Sequence, residues 1–274
     1  MADSARGPTP RVLRRPERLF AGYAFDLDGT IYLGDTLLPT ARETVASLHA
    51  AGRPIVFVSN NPLRTRGDYA AKLTRLGIPA ARDDVINSSY VLVRYLSETA
   101  PDAALFVIGE PSVKVELQAA GLTLTDRPED TDIVVACFDR TFDYQKLHTA
   151  FSAIRAGARF IATNRDAYCP TPDGGLPDCG AIIAAIEACT TRQVEEVVGK
   201  PSVIMGRMLA ARLGASPAEC IIVGDRPETD IAMGIGSGMA SALVLTGVTR
   251  AEHAGEARPI ADFIVERLDQ LLPG

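Results

Sequence analysis

Four apolar segments of this 274-residue chain end in side chains that could do acid–base, metal-binding or anion-binding chemistry. The segments read YAFDLDGT, IVFVSNN, VVGKPS and IIVGDRPETD, and the polar residues at their ends are Asp26, Asp28, Ser59, Asn60, Lys200, Asp225 and Asp230. Short runs of Val, Ile and Phe bounded by turn-forming residues are typical of buried strands. If these strands are parallel and share a sheet, their carboxyl ends meet at one edge, and the polar residues form one site.

The four aspartates of this set would repel one another in a shared site. Two unit charges ~4 Å apart cost roughly 4 kcal/mol at an effective dielectric constant of ~20. Lys200 adds a single positive charge, which does not offset four negative ones. A hard divalent cation with oxygen ligands does so, and Mg²⁺ suits a few carboxylates together with a substrate phosphate.

Asp26 and Asp28 are separated by one residue, so in a turn both side chains can serve the same site. One can address a metal and a reacting phosphorus atom while the other lies beside the leaving group. Three structural interpretations compete at this point. Asp28 can belong to a simple turn, GDRPETD can simply begin a helix, and Lys200 can be a solvated surface lysine. The occurrence of all four segments in one chain favours the chemical interpretation.

Strands and helices alternate along most of the chain, which predicts an α/β fold with a doubly wound parallel sheet. Gly52 is predicted to end the helix TARETVASLHAAG, and Ser88 or Ser89 to cap the helix SSYVLVRYLSET. The Pro- and Gly-rich segment CPTPDGGLPDCG is predicted as a loop.

The composition excludes several classes of function. The chain is 47% hydrophobic and has a formal net charge of −6, so no basic field attracts nucleic acid or an anionic membrane. No apolar run approaches the roughly 20 residues that a membrane span requires. Residues 1–18 contain several arginines and prolines without an apolar segment, which predicts a flexible arm instead of a secretory signal.

The five cysteines form no C-x-x-C pair, and no histidine lies at a zinc-ligand spacing from one of them. This pattern predicts buried or partly buried free thiols in a reducing cytosol, and therefore a cytoplasmic protein.

The ordered motifs DLDGT, VSNN, GKPS and GDRPETD resemble the four signature motifs of the haloacid dehalogenase (HAD) superfamily of phosphohydrolases. SNNPLRTR, IATNRDAYCPTPDG and VVGKPS are similar to its NagD-type subclass IIA, which includes 4-nitrophenylphosphatase-like, phosphoglycolate and sugar-phosphate phosphatases. The resemblance extends from about Phe20 to Thr249 and is nearest to the bacterial sugar-phosphate phosphatases.

The resemblance implies a role for each motif residue. Asp26 would be the nucleophile that takes the phosphoryl group as an aspartyl-phosphate, and Asp28 would be the general acid and base. Mg²⁺ would be held by the Asp26 carboxylate, the Asp28 backbone carbonyl and Asp225, with Asp230 supporting the site from outside that set. The phosphoryl oxygens would be bound by Ser59, the Asn60 backbone N–H and Lys200. The dehalogenase branch lacks a carboxylate two residues after its nucleophile, so Asp28 favours a phosphate ester as substrate.

The segment between Ser59 and Lys200 is longer than one crossover requires. The resemblance implies an inserted α/β cap of the C2 type at residues 100–193 and a catalytic core at residues 19–99 and 194–274. A large cap would exclude bulky substrates and favour small phosphorylated metabolites over phosphoproteins.

Candidate substrate contacts in this cap are Asp139, Asn164, Asp166, Tyr168 and Cys169. Tyr168 could equally be a packing residue, and Asp139 could equally form a turn. Two segments depart from the family pattern: GDRPETD replaces the commoner GDRLDTD but keeps both acids, and LPDCGA differs from the usual PGNGA-type turn.

The sequence therefore predicts a Mg²⁺-dependent phosphatase of small phosphate monoesters, such as sugar phosphates, phosphoglycolate or glycerol phosphates. A phosphotransferase or mutase acting through the same aspartyl-phosphate is one alternative. A non-catalytic protein that binds phosphorylated metabolites is the other. The resemblance also implies a homodimer formed through the cap.

Overall fold

The computed structural model describes residues 13–171 and 174–273, which divide into two compact units. The first unit comprises the described parts of Met1–Phe57 and Ala210–Gly274, and the second unit comprises those of Val58–Leu209. Both units contain parallel strands with intervening helices, so the predicted α/β class is confirmed. The predicted division into a core and a cap between residues 99 and 100 and between 193 and 194 stays a prediction.

The strands are β1 (Gly22–Asp26), β2 (Tyr32–Leu33), β3 (Thr36–Leu37), β4 (Ile55–Ser59), β5 (Val85–Asn87), β6 (Ala104–Ile108), β7 (Thr123–Leu124), β8 (Ile133–Ala136), β9 (Arg159–Ala162), β10 (Tyr168–Thr171), β11 (Gly174–Pro177), β12 (Glu196–Val197), β13 (Cys220–Gly224), β14 (Ala240–Val244) and β15 (Phe263–Val265). The α-helices are α1 (Ala41–Ala50), α2 (Arg66–Arg75), α3 (Ser88–Thr99), α4 (Pro111–Ala119), α5 (Tyr144–Ala156), α6 (Cys179–Thr190), α7 (Val203–Leu213) and α8 (Ala232–Ser237). Over the described part of the chain, no helix is both long and apolar enough to cross a membrane.

The sheet of the first unit has the strand order β15–β14–β13–β1–β4. The pairs from β15 to β1 are parallel. Strands β1, β13 and β4 are buried along their whole length. Strands covered on both faces carry continuous apolar runs instead of an alternating pattern, which explains the sequences of these three. The chain passes along β4 into the second unit, where β5 lies beside it.

The second unit contains a five-stranded parallel sheet in the order β12–β9–β8–β6–β7. Helices α5 and α6 pack on it through a cluster of buried apolar side chains that includes Phe106, Val134, Phe160, Ile183 and Ile186. The end of β9 leads directly into the segment that contains most of the predicted cap contacts.

Three local predictions were wrong or incomplete. The segment predicted as a Pro- and Gly-rich loop contains the antiparallel hairpin β10–β11, in which Tyr168 lies opposite Pro177. The N-cap of α3 is Asn87, whose side chain accepts a hydrogen bond from the Tyr90 N–H at 3.1 Å, and not one of the two serines after it. The helix predicted to begin in GDRPETD starts with a π-helical turn at Pro227–Ile231 before α8.

The predicted flexible arm lies mostly outside the described residues. Within its described part, Arg14 forms an antiparallel bridge with Ile264. The backbone N–H of each residue donates to the backbone carbonyl of the other at 3.0 Å. The Arg14 guanidinium also donates to the Ala261 carbonyl at 2.5 Å. The end of the arm is therefore attached to the outer strand β15.

A buried ion pair fixes the turn before α5. The Asp139 side chain has no exposed surface and accepts hydrogen bonds from the Lys146 ammonium at 2.7 Å and the Thr141 N–H at 2.9 Å. Burial raises the pKa of Asp139, but the bonds from Lys146 and Thr141 outweigh it and hold this pKa below its usual value. The turn is consequently stabilised by the charged form of the carboxylate.

We expect Gly234→Ala to destabilise the protein although alanine favours helices. A β-carbon at Gly234, in α8, would lie 2.6 Å from Ile222 Cγ2, so the substitution overpacks the contact between helix and sheet. The expected loss in the free energy of unfolding is about 1–3 kcal/mol, measured by urea denaturation. The control is Gly67→Ala in α2, where the nearest atom is 3.7 Å away. That change should be neutral or stabilise by about 0.4–1 kcal/mol. Equal effects at both positions would contradict the packing argument.

We expect Asp139→Asn to cost roughly 1.5–3 kcal/mol of unfolding free energy at neutral pH, because Lys146 loses its charged acceptor. A group whose pKa is lowered by folding stabilises the protein above its unfolded pKa, so the difference from wild type should shrink as pH falls from about 5 to 3. Urea denaturation across this pH range measures it. The control is Glu195→Gln at the exposed Arg159–Glu195 pair, which should cost less than about 1 kcal/mol. A difference that stays constant with pH would reject the ionic contribution.

Candidate active site

Three buried aspartates of the first unit lie together at the carboxyl ends of β1 and β13. Asp26 is the last residue of β1, Asp225 directly follows β13, and Asp230 lies in the π-helical turn. Each contributes one carboxylate oxygen to a cluster whose oxygens are all within 4.8 Å of one another. The three residues are 7%, 1% and 0% exposed, respectively. The parallel pairing of β1 with β13, in register from Gly22 with Cys220, brings these strand ends side by side.

Asp225 is held by a loop that sequence reasoning did not identify. The Val248 N–H donates to its carboxylate at 2.5 Å, and the Thr249 hydroxyl donates to its backbone carbonyl at 2.6 Å. A β-carbon at Gly29 or Gly247 would overlap the same carboxylate. Both glycines are therefore required for the close approach of backbone to this side chain. The signal in the sequence is that the apolar run of β14, continued by Leu245, is followed by the turn-forming pair Thr246-Gly247.

The Asp230 side chain and backbone are also held by hydrogen bonds. Its carboxylate accepts a hydrogen bond from the Arg226 N–H at 3.1 Å, and its own N–H donates to the Arg226 carbonyl at 2.9 Å. A β-carbon at Gly224 would overlap the Asp230 side chain, which therefore packs on the end of β13. Asp230 thus lies in the same cluster as Asp26 and Asp225, and its predicted supporting role at the metal stays a prediction.

Asp28 lies in a tight turn after β1 and is partly exposed. The Gly29 N–H donates to the Tyr32 carbonyl at 2.8 Å, and the Gly29 carbonyl accepts the Thr246 hydroxyl at 2.7 Å. The Gly29 φ of 90° is one that residues with a β-carbon rarely adopt. The Asp28 carboxylate is not among the three of the cluster, and the predicted metal contact of its backbone carbonyl stays a prediction. A partly exposed carboxyl group next to the cluster can exchange protons with a leaving group or water.

The predicted phosphate-binding residues lie in the second unit, where Ser59, Asn60 and Lys200 are all buried. Ser59 ends β4, and its hydroxyl accepts a hydrogen bond from the Asn61 N–H at 3.1 Å. The Asn60 side chain binds both backbone polar groups of Lys200. It accepts from the Lys200 N–H at 2.7 Å and donates to the Lys200 carbonyl at 3.1 Å. Two motifs separated by 140 positions are thus joined through a single amide group.

The predicted cap contacts fall into three groups. Asn164 is fully buried and donates to Asp178 at 3.0 Å at the start of α6, and Asp139 is bound to Lys146, so both have structural partners. This arrangement favours the turn-forming interpretation of Asp139.

Asp166 forms the second group. Its carboxylate accepts from the Asn60 amide at 3.1 Å, and its backbone carbonyl accepts from the Gly180 N–H at 2.9 Å. The third group is on the hairpin, where Tyr168 is 43% exposed and Cys169 is half-buried with its thiol 3.6 Å from the Asn61 amide nitrogen. Asp166 and Cys169 therefore contact the VSNN motif, while the predicted contact of Tyr168 with a substrate stays a prediction.

All five cysteines are free thiols. Burial raises the pKa of Cys137 to about 12 and also raises those of Cys179 and Cys220, which makes these three unreactive. Cys189 is exposed, contrary to the prediction that every thiol is at least partly buried.

The chain matches known proteins along most of its length. Residues 23–123 match the family described as haloacid dehalogenase-like hydrolase, and residues 197–271 match a HAD-hydrolase-like family. Sugar-phosphatase AraL of Bacillus subtilis is 40% identical over 249 residues, which cover 90% of this chain and 90% of the relative.

Solved structures give the same result. The p-nitrophenyl phosphatase from Archaeoglobus fulgidus has a TM-score of 0.87 at 32% identity, covering 93% of this chain and 98% of that one. NagD from E. coli K-12 has a TM-score of 0.83 at 29% identity, covering 92% and 98%. A glycerol phosphate phosphatase from Mycobacterium tuberculosis, in complex with magnesium, has a TM-score of 0.84 at 33% identity, covering 92% and 76%.

The motif residues, the α/β fold and these similarities agree with one another. The chain belongs to the haloacid dehalogenase-like hydrolases, in the NagD-like group, and is a phosphoric monoester hydrolase.

Proposed function

We propose that the protein is a Mg²⁺-dependent phosphatase of small phosphate monoesters that acts through an aspartyl-phosphate on Asp26. The observation that carries this proposal is the cluster of Asp26, Asp225 and Asp230, whose oxygens lie within 4.8 Å of one another in a buried position. The naming of relatives as a sugar phosphatase and a glycerol phosphate phosphatase supports a sugar- or polyol-phosphate substrate.

The donor set of the cluster fits Mg²⁺. Three buried carboxylates supply only oxygen ligands, which this hard cation prefers, and their mutual repulsion calls for a compensating charge. Asp26, Asp225 and the Asp28 backbone carbonyl would hold the ion, with Asp230 beside them. When bound, Mg²⁺ would neutralise charge on the phosphoryl oxygens and align the phosphate with Asp26.

In the chemical step, a carboxylate oxygen of Asp26 attacks phosphorus while the bond from phosphorus to the ester oxygen breaks. Asp28 donates its proton to the leaving alkoxide, which departs as an alcohol. In the second half, Asp28 takes a proton from water, whose oxygen attacks the aspartyl-phosphate. Inorganic phosphate leaves, and the Asp26 carboxylate is restored.

The predicted phosphate-binding residues stabilise the charge that spreads over the phosphoryl oxygens in both steps. We assign this role to the Ser59 hydroxyl, the Asn60 backbone N–H and the Lys200 ammonium. Fixed donors of this kind supply much of the rate enhancement in phosphoryl transfer, because they need no reorganisation when the charge develops.

Asp26→Asn should abolish phosphate release from 4-nitrophenyl phosphate, because the amide is a poor nucleophile. Wild-type activity should require Mg²⁺ and disappear in excess EDTA. The assay is the release of 4-nitrophenol, with melting temperature as the check of folding. The control is Asp262→Asn, which makes the same chemical change at an exposed carboxylate of the same unit and should retain turnover. Activity that survives either Asp26→Asn or EDTA would reject the mechanism.

A panel of sugar phosphates, phosphoglycolate and glycerol phosphates then ranks substrates by kcat/KM.

Asp225→Asn should leave the metal-free protein as stable as wild type or more so, because it removes one charge from a repelling cluster while its amide oxygen can still accept from Val248. It should also remove the stabilisation by Mg²⁺, which for wild type is about 2.7 kcal/mol at roughly 100 times the Kd. Melting temperatures with and without MgCl₂ measure both effects. Asp262→Asn is the control, since Asp262 is an exposed carboxylate of the same unit that accepts from Ser241. A Mg²⁺ effect that persists in Asp225→Asn would contradict the assignment.

A further inference from the structure

The hydrogen-bonding groups of the Asn60 side chain are all directed at protein partners. Its oxygen accepts the Lys200 N–H at 2.7 Å, and its nitrogen donates to the Lys200 carbonyl and to an Asp166 carboxylate oxygen, each at 3.1 Å. An amide has two N–H donors and one oxygen, so these three bonds use each of them. The orientation is also fixed, because the reversed amide would place its oxygen against two acceptors.

The backbone next to Lys200 is fitted closely around this amide. A β-carbon at Gly199 would lie 2.6 Å from the Asn60 oxygen and would overlap the Thr163 carbonyl, to which the Gly199 N–H donates at 2.8 Å. Asn60 and Lys200 are 6% and 4% exposed, so water does not substitute for a lost bond at low cost. The position of the lysine backbone therefore depends on the Asn60 side chain.

Asp166 connects the same amide to the hairpin β10–β11. The residue lies two positions before Tyr168, where β10 begins, and its carbonyl is bound by the Gly180 N–H at 2.9 Å at the start of α6. The neighbouring Asn61 contacts the Cys169 thiol on the hairpin at 3.6 Å. The candidate substrate-contacting hairpin and the lysine are thus linked through consecutive asparagines.

We propose that the Asn60 side chain is a positioning residue for Lys200, and that Asp166 holds this side chain in the required orientation. Asn60 thus acts on the reaction through the lysine, in addition to any contact of its backbone N–H with phosphate. Asp166 becomes part of the lysine support instead of a substrate contact. The inference rests on the proposed role of Lys200 in binding the phosphoryl group.

A double-mutant cycle tests whether Asn60 acts through the lysine. Asn60→Ala keeps the backbone N–H and should lower kcat for 4-nitrophenyl phosphate roughly 10- to 100-fold, the effect of a displaced catalytic group. In the Lys200→Met background the same change should alter kcat less than about twofold. The matched control is Asn87→Ala, a buried asparagine of the same unit that binds Tyr90 and Arg64. It should leave kcat unchanged at a comparable cost in melting temperature.

Binding of inorganic phosphate, measured by titration calorimetry with Mg²⁺ present, gives a readout that does not depend on turnover. Asn60→Ala should weaken binding by roughly tenfold or more. Asp166→Asn should change it little, because its amide oxygen can still accept from Asn60. Asp166→Leu should weaken it, because the Asn60 amide loses an acceptor.

The outcomes separate the two proposals. A many-fold loss of kcat by Asn60→Ala in the Lys200→Met background, or wild-type phosphate affinity in Asn60→Ala, would overturn the positioning role. Wild-type kcat and phosphate affinity in Lys200→Met would instead reject the proposed role of the lysine itself.

Discussion

The mutual repulsion of three buried carboxylates constrains the whole first unit. Asp26, Asp225 and Asp230 have oxygens within 4.8 Å of one another and are at most 7% exposed, so water screens their charges poorly. A sheet that served only stability would place apolar residues at these strand ends. The fold instead pairs β1 with β13 in the register that brings the acids together. Such an arrangement costs stability unless a cation is bound, and it is typical of a site selected for binding and chemistry.

In each unit a charged residue of the candidate site is held through its backbone. The carbonyl of Asp225 accepts the Thr249 hydroxyl, and the peptide groups of Lys200 are bound by the Asn60 amide. In each case a glycine allows the close approach, namely Gly247 at the aspartate and Gly199 at the lysine. Support through the backbone fixes the position of a residue without using all of the bonding capacity of its charged group. This is the arrangement expected where a preorganised charge must meet a ligand.

The polar residues at the strand ends could be predicted from the sequence because each segment begins with a continuous apolar run. Burial of a strand on both faces produces such a run. Asp26, Asp225 and Asp230 were found in this way, and the two parallel sheets with their intervening helices follow the predicted alternation. The hairpin β10–β11 was missed because its strands are not apolar: all four residues of β11 are exposed, and two of them are glycines. The cap of α3 was missed because Asn87, Ser88 and Ser89 are all good N-cap residues, and only the backbone decides among them.

The supporting contacts could not be predicted, because they join segments that are distant in sequence. Asn60 and Lys200 are 140 positions apart, and Val248 is 23 positions from the Asp225 carboxylate that it binds. No periodicity or local motif encodes such pairs. These contacts nevertheless couple the hairpin β10–β11 to Lys200. If Asp166 orients the amide that places Lys200, a change in the hairpin that moves Asp166 also moves the lysine. Changes in this hairpin would then alter kcat together with KM, since the proposed recognition of the leaving group and the proposed stabilisation of the phosphoryl charge would share one hydrogen-bonded network.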